Sequence, residues 1–414
     1  MIKAKLAPAR VLQTLSALRL PRQTMGRSAK SSPSPCKTPC KNTPLANRAL
    51  LTLPEHPTSA EDSLRQEIEA RGQFLARQDR WDELGEEIRT ADHQRDHTPG
   101  GMAVADLLAR GARLDVVQPI EKILGDPGLL PQHAPRDGIT AIEDVLEDYA
   151  NDFGVALVVI GAHIDIAWAW RGEGWEATLP QIRQQTFQRH MARAAALLDR
   201  FSPFEHDSPS LAACRCALLA AADTPTSRMA DDYEDLIDLD PANPRHMRAF
   251  GNHLLPRWFG SYQMLEVEAR RVAMMTEDLW GTGGYAWVYL DALSVDPQAL
   301  ELLDGDMFLE GMRDILDRAT DQHVVNTWAA FCAVTLPSLP TAQRSSRDVL
   351  RRIRTALDWI LRDHLQELHP LIWGQAKLGL GAYAQLPTIE ELTELGRTAA
   401  ANALGSGGLQ TQPA

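Results

Sequence analysis

With 414 residues, 44% of them hydrophobic and 23% charged, the chain has room for two or three domains or one long helical array, and a disordered or fibrous protein is excluded. The net charge of -13 is unevenly spread: residues 1–54 hold ten Lys or Arg and no Asp or Glu, which leaves 32 basic against 55 acidic side chains, or -23, in residues 55–414. A body that acidic repels nucleic acid and anionic membrane over most of its surface, so no nucleic-acid partner is expected, although the basic tail alone can touch one.

The first 30 residues are rich in Arg, contain Ser and lack acid, as a mitochondrial transit peptide does; they lack the apolar core and small-residue cleavage site of a secretory signal. Five of the seven Lys lie before residue 54, whereas Lys122 and Lys377 stand among 30 Arg afterwards, a break that also suits a start codon placed too early. Residues 1–58 are expected to form a disordered or spurious basic tail, since residues 25–58 are rich in Ser, Pro, Thr and Lys without periodicity. Five Cys (Cys36, Cys40, Cys214, Cys216 and Cys332) are too few and too scattered for a disulfide framework, and Cys36 with Cys40 lacks the second pair of ligands that zinc requires. A reducing, cytoplasmic location follows as the expectation.

The ordered body starts near Ser59. Apolar residues at helical spacing (Leu64, Ile68, Phe74 and Leu75, then Trp81, Leu84 and Ile88) predict a hairpin turning at Arg77-Gln78-Asp79. A polar segment from Asp92 to Gly101 precedes Met102 to Leu124, which reads as short helices, and the loop Gly125 to Arg136, with three Pro and two Gly, breaks the chain. Helices are then expected near Ile139 to Asp152, Val155 to Trp170, Leu179 to Phe201 and Ser208 to Ala222. The apolar stretch Gly154 to Trp170 is interrupted by His163 and Asp165 and is shorter than the roughly 20 residues of a spanning helix, so it reads as a buried helix, with no membrane span.

Further on, Asn243 and Pro244 form an N-cap and first-turn pair, with Met247, Phe250 and Leu254 as the apolar stripe; Asp296-Pro297 repeats the signal. Ser261 is placed to cap a helix whose inner face is Leu265, Ala269 and Val272, and Gly281 to Gly284 turns the chain before Tyr285 to Leu293. Helices near Met307 to Arg318, Val324 to Val334 and Arg347 to Leu368 complete the body, and residues 404–414 read as a flexible tail. No alternating β pattern of useful length occurs. The fold class is therefore all-α, with sequential, short-looped helices that favour stacked hairpins of the tetratricopeptide kind, an α-solenoid, over a bundle with crossovers. The units fall into helical hairpins at 59–135, a core at 136–300 and C-terminal helices at 301–403.

Chemistry-bearing motifs are scarce. The sequence contains no Gly-rich phosphate loop ending in Lys-Ser or Lys-Thr, no His-Glu-x-x-His, no Gly-x-Ser-x-Gly and no dinucleotide fingerprint, and Gly281-Thr282-Gly283-Gly284 lies between helices, where a turn is the better reading. His93, Asp96 and His97 read as a solvated loop, His364, Glu367 and His369 as helix-end residues, and the acidic runs Glu143 to Asp152 and Asp231 to Asp240 as solvated helix faces. No catalytic residue, metal or cofactor is assigned. The strongest constellation pairs Arg with Trp: Trp168, Trp170 and Arg171 at one helix end, and Arg257 with Trp258 in the link Leu255 to Ser261. Arg beside Trp offers stacking and a forked donor for carboxylate or phosphate; the competing reading is that these residues lock helix ends by packing.

The pattern Ala167-Trp168 to Arg171-Gly172, Leu239-Asp240-Pro241, Leu255-Pro256-Arg257-Trp258, Gly260-Ser261 and Gly281 to Tyr285-Ala286 resembles a bacterial protein family of unknown function with a tetratricopeptide-like helical domain, over roughly residues 150–295. The resemblance implies a fold and no activity. Two readings follow. One is a cytoplasmic helical-repeat scaffold that binds a protein or peptide along a concave face. The other is an enzyme or small-ligand sensor with a pocket around Trp168, Arg171, Arg257, Trp258 and Tyr285. A third, an envelope- or nucleic-acid-associated protein using its basic tail, is the weakest.

Overall fold

The computed structural model describes residues 53–57, 59–125, 135, 137–172, 180–318, 321–340, 344–379 and 387–407. The expectations for residues 1–52, with Cys36 and Cys40, and for 408–414 lie outside the described residues. Among the described residues the chain is all-α: no strand forms, and β pairing is confined to two isolated bridges, Glu55 with Leu368 and His97 with Ala103.

Helix α1 (Ala60–Arg77) opens on a reciprocal cap, in which the Ser59 hydroxyl accepts the Asp62 N–H at 3.2 Å and the Asp62 carboxylate accepts the Ser59 N–H at 3.3 Å. The chain reverses through Asp79, in the left-handed region at φ 56°, into α2 (Trp81–Gln94). The expected short helices after Met102 are instead one helix, α3 (Val104–Gly125), which runs straight through Pro119. A proline inside a helix costs about 3 kcal/mol. Here Leu107, Leu108, Leu114, Val117 and Ile120 are all buried, and that apolar burial, about 1.5–3 kcal/mol for each large side chain, outweighs the lost backbone bond. α1 and α3 cross almost backbone to backbone. A Cβ on Gly72 would lie 2.0 Å from the Leu108 carbonyl, and one on Gly111 would lie 2.0 Å from the Glu69 carbonyl, so only glycine permits this approach.

After α4 (Asp137–Asp148) comes α5 (Phe153–Arg171), capped by the Asp152 carboxylate on the Gly154 and Val155 N–H groups at 2.8 and 3.2 Å. α5 is apolar on nearly every side because it is enclosed on nearly every side. By length and composition it could cross a membrane, yet 78% of its most apolar window is buried inside the protein. It also joins two hydrophobic clusters. The first gathers Leu75, Leu84, Ile88, Val117 and Leu211 around Val155 to Ile166; the second begins at Ala167 and Trp168 and runs through Tyr233, Phe250, Trp258, Trp287, Trp328 and Trp373.

Besides the short turns Leu336–Ser338 and Ala356–Trp359, the remaining helices are α6 (Gln181–Leu198), α7 (Pro209–Leu218), α8 (Pro225–Leu239), α9 (Pro244–His253), α10 (Tyr262–Met275), the single turn α11 (Glu277–Trp280), α12 (Gly283–Val295), α13 (Gly305–Arg318), α14 (Gln322–Ala330), α15 (Arg344–Arg354), α16 (Pro370–Leu378) and α17 (Ile389–Gly407). The caps expected from sequence are present. Asn243 Oδ1 accepts the Arg245 N–H at 3.1 Å, Ser261 accepts the Met264 N–H at 3.1 Å, and Asp296 caps a short 3-10 turn by accepting the Gln298 N–H at 3.1 Å. The expected helix from Arg347 to Leu368 is broken, giving way to a π-turn at Ile360–His364 and then an extended link. Two amides of α14 hold that link: Gln322 accepts the Gln366 and Glu367 N–H groups at 2.8 and 3.2 Å, and buried Asn326 accepts the His369 N–H and the Trp373 indole N–H, both at 3.0 Å. Backbone groups satisfied in this way do not need a helix.

Candidate functional site

The Arg and Trp residues singled out from sequence fall into two places. Trp168, near the end of α5, meets Trp258, in the α9–α10 link, edge to face with ring centroids 6.4 Å apart, and it meets Phe187 of α6 at 5.3 Å. The Arg171 guanidinium lies 5.7 Å above the Trp168 ring, and Trp258 is flanked in turn by His253 and Phe259, each at 5.8 Å between centroids for Trp258. Trp168, Arg171 and Trp258 thus form one buried cluster at the seam between the two hydrophobic clusters. Beside it, the Tyr233 hydroxyl and His253 Nδ1 are hydrogen-bonded at 3.0 Å; His253 Nε2 and Trp258 Nε1 have no hydrogen-bond partner among the described residues. Burial lowers His253 to about 4, so this imidazole is neutral at neutral pH. Arg257 is half-buried; burial lowers its pKa, with Asp296 as the opposing charge, and its Nε has no partner among the described residues.

Tyr285 belongs to a different network. Its hydroxyl donates to Glu266 Oε2 at 2.6 Å and accepts the Asp304 N–H at 2.8 Å, and the Tyr289 hydroxyl donates to the same carboxylate oxygen at 2.8 Å. Arg270 closes the network by bonding Glu266 at 2.6 Å and Asp304 at 2.8 Å while lying 5.7 Å above the Tyr285 ring. Burial first raises both phenols above their usual range, reinforced by Glu266 at Tyr285 and by Tyr285 and then Glu266 at Tyr289, so neither serves as a phenolate at neutral pH. The arrangement ties α10 to α12 and the start of α13.

Several residues read as solvated are built into the fold. His97 is only 17% exposed on its side chain and bonds Asp240 Oδ2 at 2.8 Å; His246 bonds the same oxygen at 3.0 Å. The hydrogen bonds from His246 and His97 overcome burial and hold the Asp240 carboxyl below the ordinary range. The signal was missed because His97 and Asp240 are far apart in sequence, and each stands among polar neighbours. Glu143 likewise accepts Arg193 Nε at 2.6 Å and faces His163 Nε2 at 3.3 Å, while His163 Nδ1 lies 2.9 Å from His190 Nδ1. Among the described residues no group of three or more His, Cys, Asp or Glu side chains is arranged to hold a metal ion. Burial raises the Cys214 thiol to about 12 and raises Cys216 and Cys332 as well, which removes the thiolate character that a nucleophile needs.

One surface feature escaped the sequence reading. An open groove of about 550 Å³ runs beside α1, lined by Leu64, Ile68 and Phe74 from α1, Glu87 from α2, and Val104 and Leu108 from α3. Leu64 and Phe74 are 37% and 48% exposed, high for residues of their size. Arg71 stands at the rim, its guanidinium 5.9 Å from the Phe74 ring and bonded to Glu83 at 2.6 Å and Glu87 at 2.5 Å. Leu64, Ile68 and Phe74 share the helical period of the buried Leu75, so periodicity alone does not say which apolar residues a neighbouring helix covers. The chain matches no protein-family model, no curated protein and no solved structure.

Proposed function

We propose that the protein is a scaffold of helical hairpins, stacked in the tetratricopeptide manner, that takes an amphipathic basic helix of a partner protein into the groove beside α1. The observation that carries the reading is the groove: an apolar floor of Leu64, Ile68 and Phe74 left open to solvent on a helix otherwise packed against α3. Helix-in-groove recognition needs such a floor, and an exposed aromatic ring is a natural anchor for the partner's apolar side chains. Charge selects the partner's other face. Glu67 and Glu87 outnumber Arg71 in the lining, within a body of net charge -23 over residues 55–414. Packing supports the array, since α1 lies on α3, α3 on α5, and α2 against both α3 and α5. A small-ligand pocket around Trp168, Arg171, Arg257, Trp258 and Tyr285 has less support, because Trp168, Arg171, Trp258 and Tyr285 are all buried.

The probe is a fluorescein-labelled helical peptide with Leu at i, i+4 and i+7 on one face and Lys elsewhere. Its anisotropy is expected to rise to saturation with the protein, and Phe74→Glu or Leu64→Glu, both at exposed positions, to weaken binding by about tenfold or more, as loss of an anchor does, with the thermal midpoint unchanged. Equal binding of a Leu and Glu peptide of the same pattern, or undiminished binding by both variants, would overturn the reading.

A further inference from the structure

The groove is built on α1, the first helix of the described chain, and the sequence that precedes that helix has the chemistry of a ligand for it. Residues 1–54 carry ten Lys or Arg and no acid. Within them Pro8 and Pro21 bracket the run Ala9 to Leu20, which contains neither Gly nor Pro. Proline is accepted where a helix starts and stops one that reaches it from the other side, so the pair bounds a run that can wind into about three turns. Wound in that way, Val11, Leu15 and Leu18 fall at i, i+4 and i+7 on one face, with Leu12 beside them. Arg10 and Arg19 stand at the two ends of this apolar set, and Lys3, Lys5 and Arg22 flank the run. A helix this short is marginal in water and takes its order from the surface it meets.

The groove offers the complementary surface. Its floor along α1 extends from Leu64 to Phe74, about 15 Å at about 1.5 Å per residue, which accommodates the roughly 11 Å between Val11 and Leu18 of a docked helix. Leu64 and Phe74 are exposed and give the apolar face something to cover. The charge is also of the right sign. Glu67 of the lining is exposed, and the one guanidinium of Arg71 is shared between Glu83 and Glu87, so the groove keeps negative charge for Arg10 and Arg19 to meet. The linking chain is long enough. Backbone hydrogen bonds from Leu368 to Pro54 and from His56 to Leu368 anchor the chain just before Ser59 caps α1. Residues 21–53 can span up to about 110 Å, whereas α1, with 18 residues, is about 27 Å long.

We propose that residues 9–20 of this chain dock in the groove as an amphipathic helix and cover it until the helix of a partner displaces them. The inference rests on the helix-in-groove reading of the site and adds its regulation. Tethering makes a weak contact sufficient: a segment that alone binds at about 0.1 mM, held at an effective concentration of about 1 mM, fills the groove about ten to one.

The experiment uses the full chain and the fluorescein-labelled Leu and Lys helical peptide as the probe. Leu15→Glu together with Leu18→Glu is expected to tighten probe binding by about tenfold, because the competitor in the same chain is removed. Adding Phe74→Glu is expected to cancel that gain. A synthetic peptide of residues 8–22 should displace the probe from the Leu15→Glu, Leu18→Glu chain, and a scrambled peptide of the same composition should not. Equal affinity of the probe for the parent chain and the Leu15→Glu, Leu18→Glu chain would overturn the inference while leaving the groove reading in place. Failure of the probe to bind either chain would remove the groove reading, and the inference with it. A scrambled peptide that competes as well as the native one would overturn the docked helix, since charge alone would then explain binding. A parent chain that is dimeric by light scattering, and monomeric once Leu15 and Leu18 are replaced, would assign the segment to the groove of a second copy and overturn occupancy within one chain.

Discussion

Trp258→Ala is expected to destabilise the protein by about 3–5 kcal/mol, the range for deleting a large buried aromatic side chain. Trp258 is 1% exposed and touches Trp168, His253 and Phe259, so its removal opens a cavity at the seam where α5 passes from one hydrophobic cluster to the other. Nothing around that cavity moves easily, because Trp168 is held by Phe187 and by the Arg171 guanidinium, and His253 by Tyr233. Arg257, the preceding residue, is expected to behave in the opposite way. Its guanidinium is half-buried with an unpartnered Nε, so Arg257→Ala removes a desolvated donor and should change stability by no more than about 0.5 kcal/mol. Urea unfolding of the two variants beside the parent chain measures both. Equal losses for the two would mean that Arg257 locks the link as firmly as Trp258 does.

That contrast marks how far the sequence could be read. Burial of Trp168 and Trp258 follows from residue type, and the Asn243, Ser261 and Asp296 caps follow from local chemistry that acts within three residues. Tertiary packing decided the rest. Pro119 sits mid-helix because both neighbouring turns are buried, and the chain beyond His364 leaves the helix because Gln322 and Asn326, some forty residues earlier, satisfy its backbone. The grouping of Trp168, Arg171 and Trp258 was legible as a shared residue type, whereas the engagement of Tyr285 by Glu266 was not, since no local pattern links α10 to α12. The groove was hidden for the same reason, since its lining is assembled from three helices, α1, α2 and α3.

Acid is expected to destabilise this protein well before its carboxylates are neutralised. Burial lowers His190 and His253 to about 4 and His323 to about 3, whereas the same residues in the unfolded chain titrate near about 6.5. Between those values the unfolded chain binds protons that the folded chain refuses, so stability falls as pH falls. The stabilisation is fully present above about pH 6.5 and is lost as pH drops through the folded-state values near 4. His253 is almost inaccessible to solvent, and its shift alone corresponds to about 3 kcal/mol at about 1.4 kcal/mol for each pH unit. Asp92, Asp232 and Glu268 work the other way. Burial raises their pKa values, so the folded chain takes up their protons first and regains some stability as pH falls toward the ordinary carboxylate range. The net fall from about pH 6.5 down to about pH 5 is expected to be that of the histidines, because the unfolded imidazoles titrate in that window, whereas the carboxylates reach into it only as far as burial raises them above their ordinary range. Urea midpoints measured across that window should fall steadily, and His253→Asn, which keeps an acceptor for the Tyr233 hydroxyl without a titrating ring, should flatten the fall. An unchanged slope in that variant would place the acid sensitivity in His190, His323 or the surface instead of at the seam beside Trp258.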